Sequence, residues 1–294
     1  MVRWVLDDVY LLWNSHETTI DAALGIICFL GDIGQRTQYG SVNCIYSSTG
    51  NLSWRQPSRL HDSLNISPSG VIVAYQSPAS VRSFDLNNGG VNWRKRLGGN
   101  GLIYLDINDN QIQVLAYPEF FWQLNFEGGI IDQFPRERLF AIRGNVKYRN
   151  LSGIQAKNSL TSEIIWEYWD PDLILSPLFT ENQIILRSGY LGGNAYALDR
   201  KTGALLWSVS GAIGNPVYSL NQNVVYVLCE DGSLKSVQIE NGEQDIVGKF
   251  SPAPFVIGGV ESYHYGLAYD AENDLLMVYL GDSRQLIALS TQVE

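Results

Sequence analysis

The chain has 294 residues, 45% of them hydrophobic and 17% charged, with a formal net charge of −10 and a pI near 4.8. Such a chain can bury a substantial core, which argues against disorder. Its negative surface repels phosphate backbones, which argues against nucleic acid as a partner.

In chain order, the first segment Met1 to Tyr10 places Asp7 and Asp8 where the apolar stretch of a signal peptide would have to lie. A cytoplasmic location is therefore expected, or an exported one if a leader has been removed. Ala22 to Leu30 is too short to cross a bilayer, so no membrane span is expected. Cys28, Cys44 and Cys229 are an odd count without CxxC spacing. That predicts reduced, partly buried thiols rather than a disulfide framework or a zinc site, with one disulfide open to an exported protein. Short alternating runs then follow one another: SGVIVAYQ, SVRSFDL, LIYLDI, QIQVLAY, NQIILRSG and NVVYVLCEDGSLKSVQI. Each reads as a strand bounded by turn residues. No segment carries apolar residues at helical spacing over ten or more positions.

The runs are punctuated by a repeated frame. Tyr196 to Trp207, YALDRKTGALLW, sets Asp199 four residues before Gly203 and Trp207 four after it. Phe84 to Trp93 repeats the spacing with Asp85, Gly89 and Trp93. Cys44 to Trp54 keeps Thr49-Gly50 and Trp54 but has Tyr46 in the Asp position; Ala156 to Trp166 has Asn158, Ser162 and Trp166. Leu124 to Gln133 and Val237 to Ile246 are weaker copies, with Gly129 and Gly242 as their glycines. An Asp or Asn carboxyl or amide oxygen accepts bonds from the amides just ahead and fixes a turn. Glycine closes that turn with a positive φ at little steric cost. The Trp at the end of the next strand buries a large ring against a neighbour.

Taken at the glycine position, the frame recurs at residues 50, 89, 129, 162, 203 and 242, in steps of 39, 40, 33, 41 and 39. Units of about 40 residues made of short strands predict an all-β propeller of four-stranded antiparallel blades. Aligning Ala288-Leu289-Ser290 with Ala197-Leu198-Asp199 puts the next glycine position at Glu294, and wrapping to the N-terminus puts Trp4 in the Trp position. The chain thus reads as a single domain over residues 1–294, a seven-bladed ring in which residues 1–6 supply the outer strand of the last blade. A degenerate blade would change the count to six or eight. Trp4, Trp54, Trp93, Trp166 and Trp207 fill five of the seven Trp positions, from only 8 Trp in the chain, which is beyond chance; Gln133 and Ile246 occupy the other two.

Ala197 to Trp207 resembles the AxDxxTGxxxW tryptophan-docking repeat of quinoprotein-like propellers. That resemblance implies the propeller fold over the whole chain. The superfamily includes dehydrogenases that use pyrroloquinoline quinone (PQQ) and Ca2+, and also a non-enzymatic scaffold of outer-membrane protein assembly. The vicinal Cys pair of many such dehydrogenases has no match here, and no Ca2+-binding Glu-Asn-Asp set can be placed by position.

The residues themselves assemble no catalytic set. His16, His61 and His264 lie far apart; Asp106 to Asn110 lacks the glycine and distal Glu of a calcium loop; GxSxG and HExxH are missing. The aromatic cluster Trp166-Glu167-Tyr168-Trp169 stands out, because Trp169 has no architectural duty, and Phe120-Phe121-Trp122 is a second surplus. Aromatics at loops on a propeller face are typical partner anchors. Trp122, Trp169 and Tyr168 are the candidate contacts of a binding scaffold for a protein or peptide, with no catalytic, metal or cofactor residues expected. The alternative is an enzyme or small-molecule binder that uses the central channel, with PQQ and Ca2+. The oligomeric state is left open.

Overall fold

The computed structural model describes residues 1–11, 20–34, 40–57, 61–75, 79–98, 101–108, 111–117, 120–135, 139–189, 193–250, 255–257, 260–262, 265–281 and 283–291. Strands dominate them, and every sheet pairing is antiparallel.

Sheet 1 is built from Val9–Leu11, Ile20–Ala23, Ile26–Ile33, Ser41–Tyr46 and Leu52–Pro57. Sheet 2 holds His61–Ser67, Gly70–Tyr75, Ser80–Phe84 and Val91–Arg96. Sheet 3 holds Gly101–Asn108, Gln111–Tyr117, Phe120–Leu124 and Ile130–Pro135. Sheet 4 holds Leu139–Arg143, Val146–Asn150, Gly153–Asn158 and Ile164–Trp169. Sheet 5 has seven strands: Leu173–Phe179, Gln183–Ser188, Gly193–Asp199, Leu205–Ser219, Val224–Cys229, Ser233–Gln238 and Gln244–Lys249. Its central strand runs 15 residues. The first part pairs back onto Gly193–Asp199 and the second part forward onto Val224–Cys229, so the sheet has two halves. Sheet 6 holds Tyr265–Asp270, Leu275–Leu280 and Gln285–Ser290, and its outermost strand is the N-terminal Val2–Leu6.

Middle strands such as Gly70–Tyr75, Val224–Cys229 and Leu275–Leu280 are buried on both faces. Their apolar side chains alternate between two neighbours, because successive strand residues point to opposite sides. Ile72 and Ala74 pack towards sheet 3, whereas Val71 and Val73 pack towards sheet 1. One apolar cluster joins each sheet to the next, from sheet 1 through sheet 5 to sheet 6. A last cluster joins sheet 6 back to sheet 1, through Met277 and Tyr279 against Ile27 and Phe29. Asp270 clamps the same contact, accepting bonds from Ser47 Oγ at 2.5 Å and Asn273 Nδ2 at 2.8 Å.

The expectation of reduced thiols is corrected for two of the three cysteines. Cys28 and Cys44 lie directly opposite on adjacent strands of sheet 1 and form a disulfide. Sequence spacing hid the pair, because only the strand register brings their Cα atoms to 4.1 Å. Cys229 is a buried free thiol, and burial pushes it above the ordinary thiol range.

Candidate functional site

The repeated frame becomes a set of joints between neighbouring sheets. In each of four joints an indole N–H donates to a carbonyl on the next sheet's turn. Trp4 reaches Ser47 O at 2.6 Å, Trp54 reaches Leu86 O at 2.7 Å, Trp93 reaches Phe126 O at 2.6 Å and Trp166 reaches Arg200 O at 2.9 Å. The ring lies flat over the turn glycine. A Cβ added at Gly50, Gly89, Gly128 or Gly203 would come within 2.6 to 2.9 Å of that ring. Those glycines also have φ between 69° and 79°, so glycine is required twice over, by conformation and by the approach of the ring. Trp207 also packs on Gly242, but through its Cβ and the near edge of the ring, and its indole N–H makes no such bond.

The acidic residue of the frame builds the turn. Asp199 accepts from the Thr202 hydroxyl at 2.9 Å and from the amides of Lys201 and Thr202. Those donors, the Thr202 hydroxyl foremost, hold its carboxyl below the ordinary carboxylate range. Asp85 accepts from the amides of Asn87 and Asn88 at 3.0 Å each.

Two Trp positions fall on different residues from those the sequence spacing indicates. In sheet 3 the turn closes one residue earlier, with Gly128 N bonded to Asn125 O where Gly203 N bonds to Asp199 O. Gly128, not Gly129, therefore lies beneath Trp93. The residue paired like Trp166 is then Asp132, opposite Gln123, while Gln133 pairs with Trp122 on the other side. In the second half of sheet 5 the usual bulge is displaced along the strand, and Asp245 takes the position expected for Ile246. The position at Glu294 lies outside the described residues.

The candidate aromatics separate. Trp122 is only 8% exposed and belongs to the cluster between sheets 2 and 3. It is a core residue, not a partner contact, because strand alternation turns it inward beside Phe120. Tyr168 is half-buried, its ring centroid 5.4 Å from that of Tyr196. The Tyr196 hydroxyl donates to Asp170 Oδ2 at 2.5 Å. Burial first, then Asp170, push the Tyr196 phenol well above its ordinary range. Trp169 ends the outermost strand of sheet 4 and is 75% exposed. Of the histidines, His16 and His264 fall outside the described residues, and His61 lies at the start of a strand.

Sequence reasoning foresaw a central channel but not the residues that line the axial cavity. Its volume is about 240 Å³. It is bounded by the innermost strands, with Asp21, Asn65, Asp106, Asn215, Tyr218 and Tyr265 among its walls. Asp21 accepts from Ile66 N at 2.6 Å and Ala22 N at 2.9 Å, yet burial raises its pKa to about 6. Asp106 is ion-paired with Arg143 of sheet 4. No spacing announces these residues, since they come from strands far apart in the chain. Among the described residues no three His, Cys, Asp or Glu side chains converge as a metal would need. Within the cavity walls Asp21 is held by two backbone amides and Asp106 by Arg143.

No family profile matches the chain, and no curated protein sequence matches it. Solved structures do. A chain in a crystal structure of a mitotic checkpoint complex aligns with a TM-score of 0.74 at 11% identity, covering 100% of this chain and 95% of that one. The WD40 domain of Toxoplasma gondii coronin aligns at 0.63 and 10% identity, covering 98% and 86%. BamB from Moraxella catarrhalis aligns at 0.53 and 13% identity, covering 100% and 99%. The protein is a β-propeller. At such identities the likeness carries the fold alone, and it extends across WD40 and BamB propellers alike.

Proposed function

We propose that the chain is a non-catalytic binding scaffold for a protein or peptide, built as a seven-bladed propeller. In this reading the two halves of sheet 5 are separate blades, and Val2–Leu6 closes the ring by completing the blade of sheet 6. The pairing of that strand with Gln285–Ser290 and the unbroken circuit of apolar clusters support both points. The joints are tryptophan-docking contacts of the quinoprotein-like type, supported by the indole bonds and by the glycines beneath the rings.

The observation that carries the scaffold reading is Trp169. A large aromatic at 75% exposure has an apolar area that a folded chain ordinarily hides, and aromatics of this kind anchor protein interfaces. Trp169→Ala should weaken partner capture by about tenfold without unfolding the protein. The measurement is quantitative cross-linking in its own host; undiminished capture would remove this residue from the interface.

A second reading is supported by the axial cavity: binding of a small polar molecule beside Asp21 and Asn65. PQQ and Ca2+ enter only under that reading, and native mass spectrometry of protein from its own host tests it by the mass retained. The disulfide favours an oxidising compartment, since such bonds are rare in the cytosol. Alkylation of host-derived protein checks this: Cys28 and Cys44 should react only after reduction and unfolding.

A further inference from the structure

Every outermost strand of a propeller sheet leaves a row of unpaired backbone donors and acceptors, a template on which another strand can pair. Proteins guard such edges with charged side chains, lysine above all, or with proline. Here the guards are visible on most edges. Arg3 lies in Val2–Leu6, Pro57 ends its strand, Arg94 to Arg96 close theirs, Pro135 ends another and Lys249 a fifth. Leu205–Ser219 has no basic guard in its first half, but beyond the joint its exposed positions are serines, Ser208 and Ser210, and it continues into the second half of the sheet.

Ile164–Trp169 is different. It contains no Lys, Arg or Pro. On one side of the strand Trp166 and Tyr168 pack against sheet 5. On the other side Ile165, Glu167 and Trp169 are all exposed. This is an alternating apolar, acidic, aromatic face on an open edge. The strand and its flanks are acidic, with Lys157 opposite Ile164 on the adjoining strand and Gln155 linking Arg149 to Glu167. From Asn158 to Leu186 the chain carries Glu163, Glu167, Asp170, Asp172 and Glu181 and no Lys or Arg. Glu163, Glu167 and Asp172 are exposed. The ion pairs among the described residues, Asp32 with Arg55 and Asp106 with Arg143, lie in other sheets or between sheets 3 and 4.

We propose that the edge of Ile164–Trp169 receives an extended, basic segment of a partner protein as an added fifth strand. Backbone bonds to the open edge supply pairing, Trp169 covers an apolar or cationic side chain, and Glu167 and Asp172 meet lysines or arginines at alternate positions. This rests on the scaffold reading and names the chemistry of its partner.

The test uses two synthetic twelve-residue peptides, one alternating lysine and valine and one alternating glutamate and valine. Binding is followed by tryptophan fluorescence, and amide hydrogen exchange locates the contact. The lysine peptide should bind, more weakly as salt rises, and slow exchange at residues 164–169. Trp169→Ala and Glu167→Lys should each weaken it by about tenfold, the size of one good interface contact. Both residues are exposed; Trp169→Ala should melt as the parent does, and Glu167→Gln, which keeps an oxygen for Gln155 Nε2, separates the lost charge from the lost bond. Equal binding of both peptides, no binding of the lysine peptide, or protection elsewhere would overturn the proposal. If host partner capture still depends on Trp169 in any of those cases, the scaffold reading stands and only the added-strand chemistry fails. If capture is also indifferent to Trp169, both fall.

Discussion

Sheet 4 has two neighbours and joins them by opposite means. Towards sheet 5, Trp166 lies over Gly203, bonds Arg200 O and sits in a cluster with Tyr148, Ala156, Ile184 and Leu198. Towards sheet 3, the Trp position holds Asp132, the glycine position holds Ser162 with φ 63°, and the cluster shrinks to Leu115, Phe121, Leu139 and Ile142. Polar bonds take over there. Gln113 Nε2 donates to Ile142 O at 2.8 Å while Ile142 N donates to Gln113 Oε1 at 3.1 Å, and Arg143 is ion-paired with Asp106. The difference teaches that a propeller joint needs complementary contact, and not one particular side chain. An indole over glycine is one solution; a buried amide clamp with an ion pair is another.

The largest expected effect lies on the apolar side. Trp166→Ala should destabilise the protein by about 4 kcal/mol, the loss of a buried ring plus its cavity; urea unfolding measures it. If the loss is under about 1 kcal/mol, the joint does not depend on the ring and the contrast collapses. On the polar side, Arg143→Met should cost about 3 kcal/mol, because Asp106 is left buried without its partner. Replacing both, as Arg143→Met with Asp106→Leu, should recover most of that stability, and a double-mutant cycle reads the coupling.

Asp21 gives a third effect of opposite sign. Its folded pKa of about 6 lies above the ordinary value of 3.8, so the native state holds the proton more tightly than the unfolded chain does. The carboxyl carries no penalty below about pH 4; the penalty grows from pH 4 to 6 and is complete above that. Asp21→Asn should therefore be about 2 kcal/mol more favourable relative to the parent at pH 7 than at pH 4, while one of the two backbone bonds is lost at both. Unfolding midpoints at the two pH values decide it, and a change of equal size at both would place the cause elsewhere. The smallest effect sharpens the comparison at its weakest joint. Ser162 holds a left-handed conformation that glycine adopts freely, and Ser162→Gly should stabilise by about 1 kcal/mol in thermal melts. A loss would mean that the serine side chain has a role that its backbone does not reveal.

Much of the architecture was legible because local chemistry builds it. Asp85 and Asp199 make their turns from amides two and three residues ahead, so the turn is written in adjacent letters. Trp54, Trp93 and Trp166 stand at fixed distances from those turns, since a strand has a fixed rise and a fixed alternation. The same logic failed by one residue in sheet 3, where the turn closes at Gly128 and shifts the Trp position from Gln133 to Asp132. It could not separate Trp122 from Trp169 either. Both are surplus aromatics in the sequence, yet one is turned into the core and the other lies exposed on an edge strand. That difference depends on which sheet packs against which face.

The sequence by itself determined the strands, the turns and the roughly 40-residue period, because these arise from contacts between near neighbours in the chain. The place of residues 1–6 beside the last strands was legible from Trp4, and the structure added its register. Only the tertiary structure decided that Cys28 meets Cys44 and that Arg143 crosses to Asp106. The Asp21, Asn65 and Asp106 walls of the axial cavity belong with them. Strand register and the packing of sheet on sheet set those meetings, and no local pattern encodes a register between strands that lie far apart in sequence.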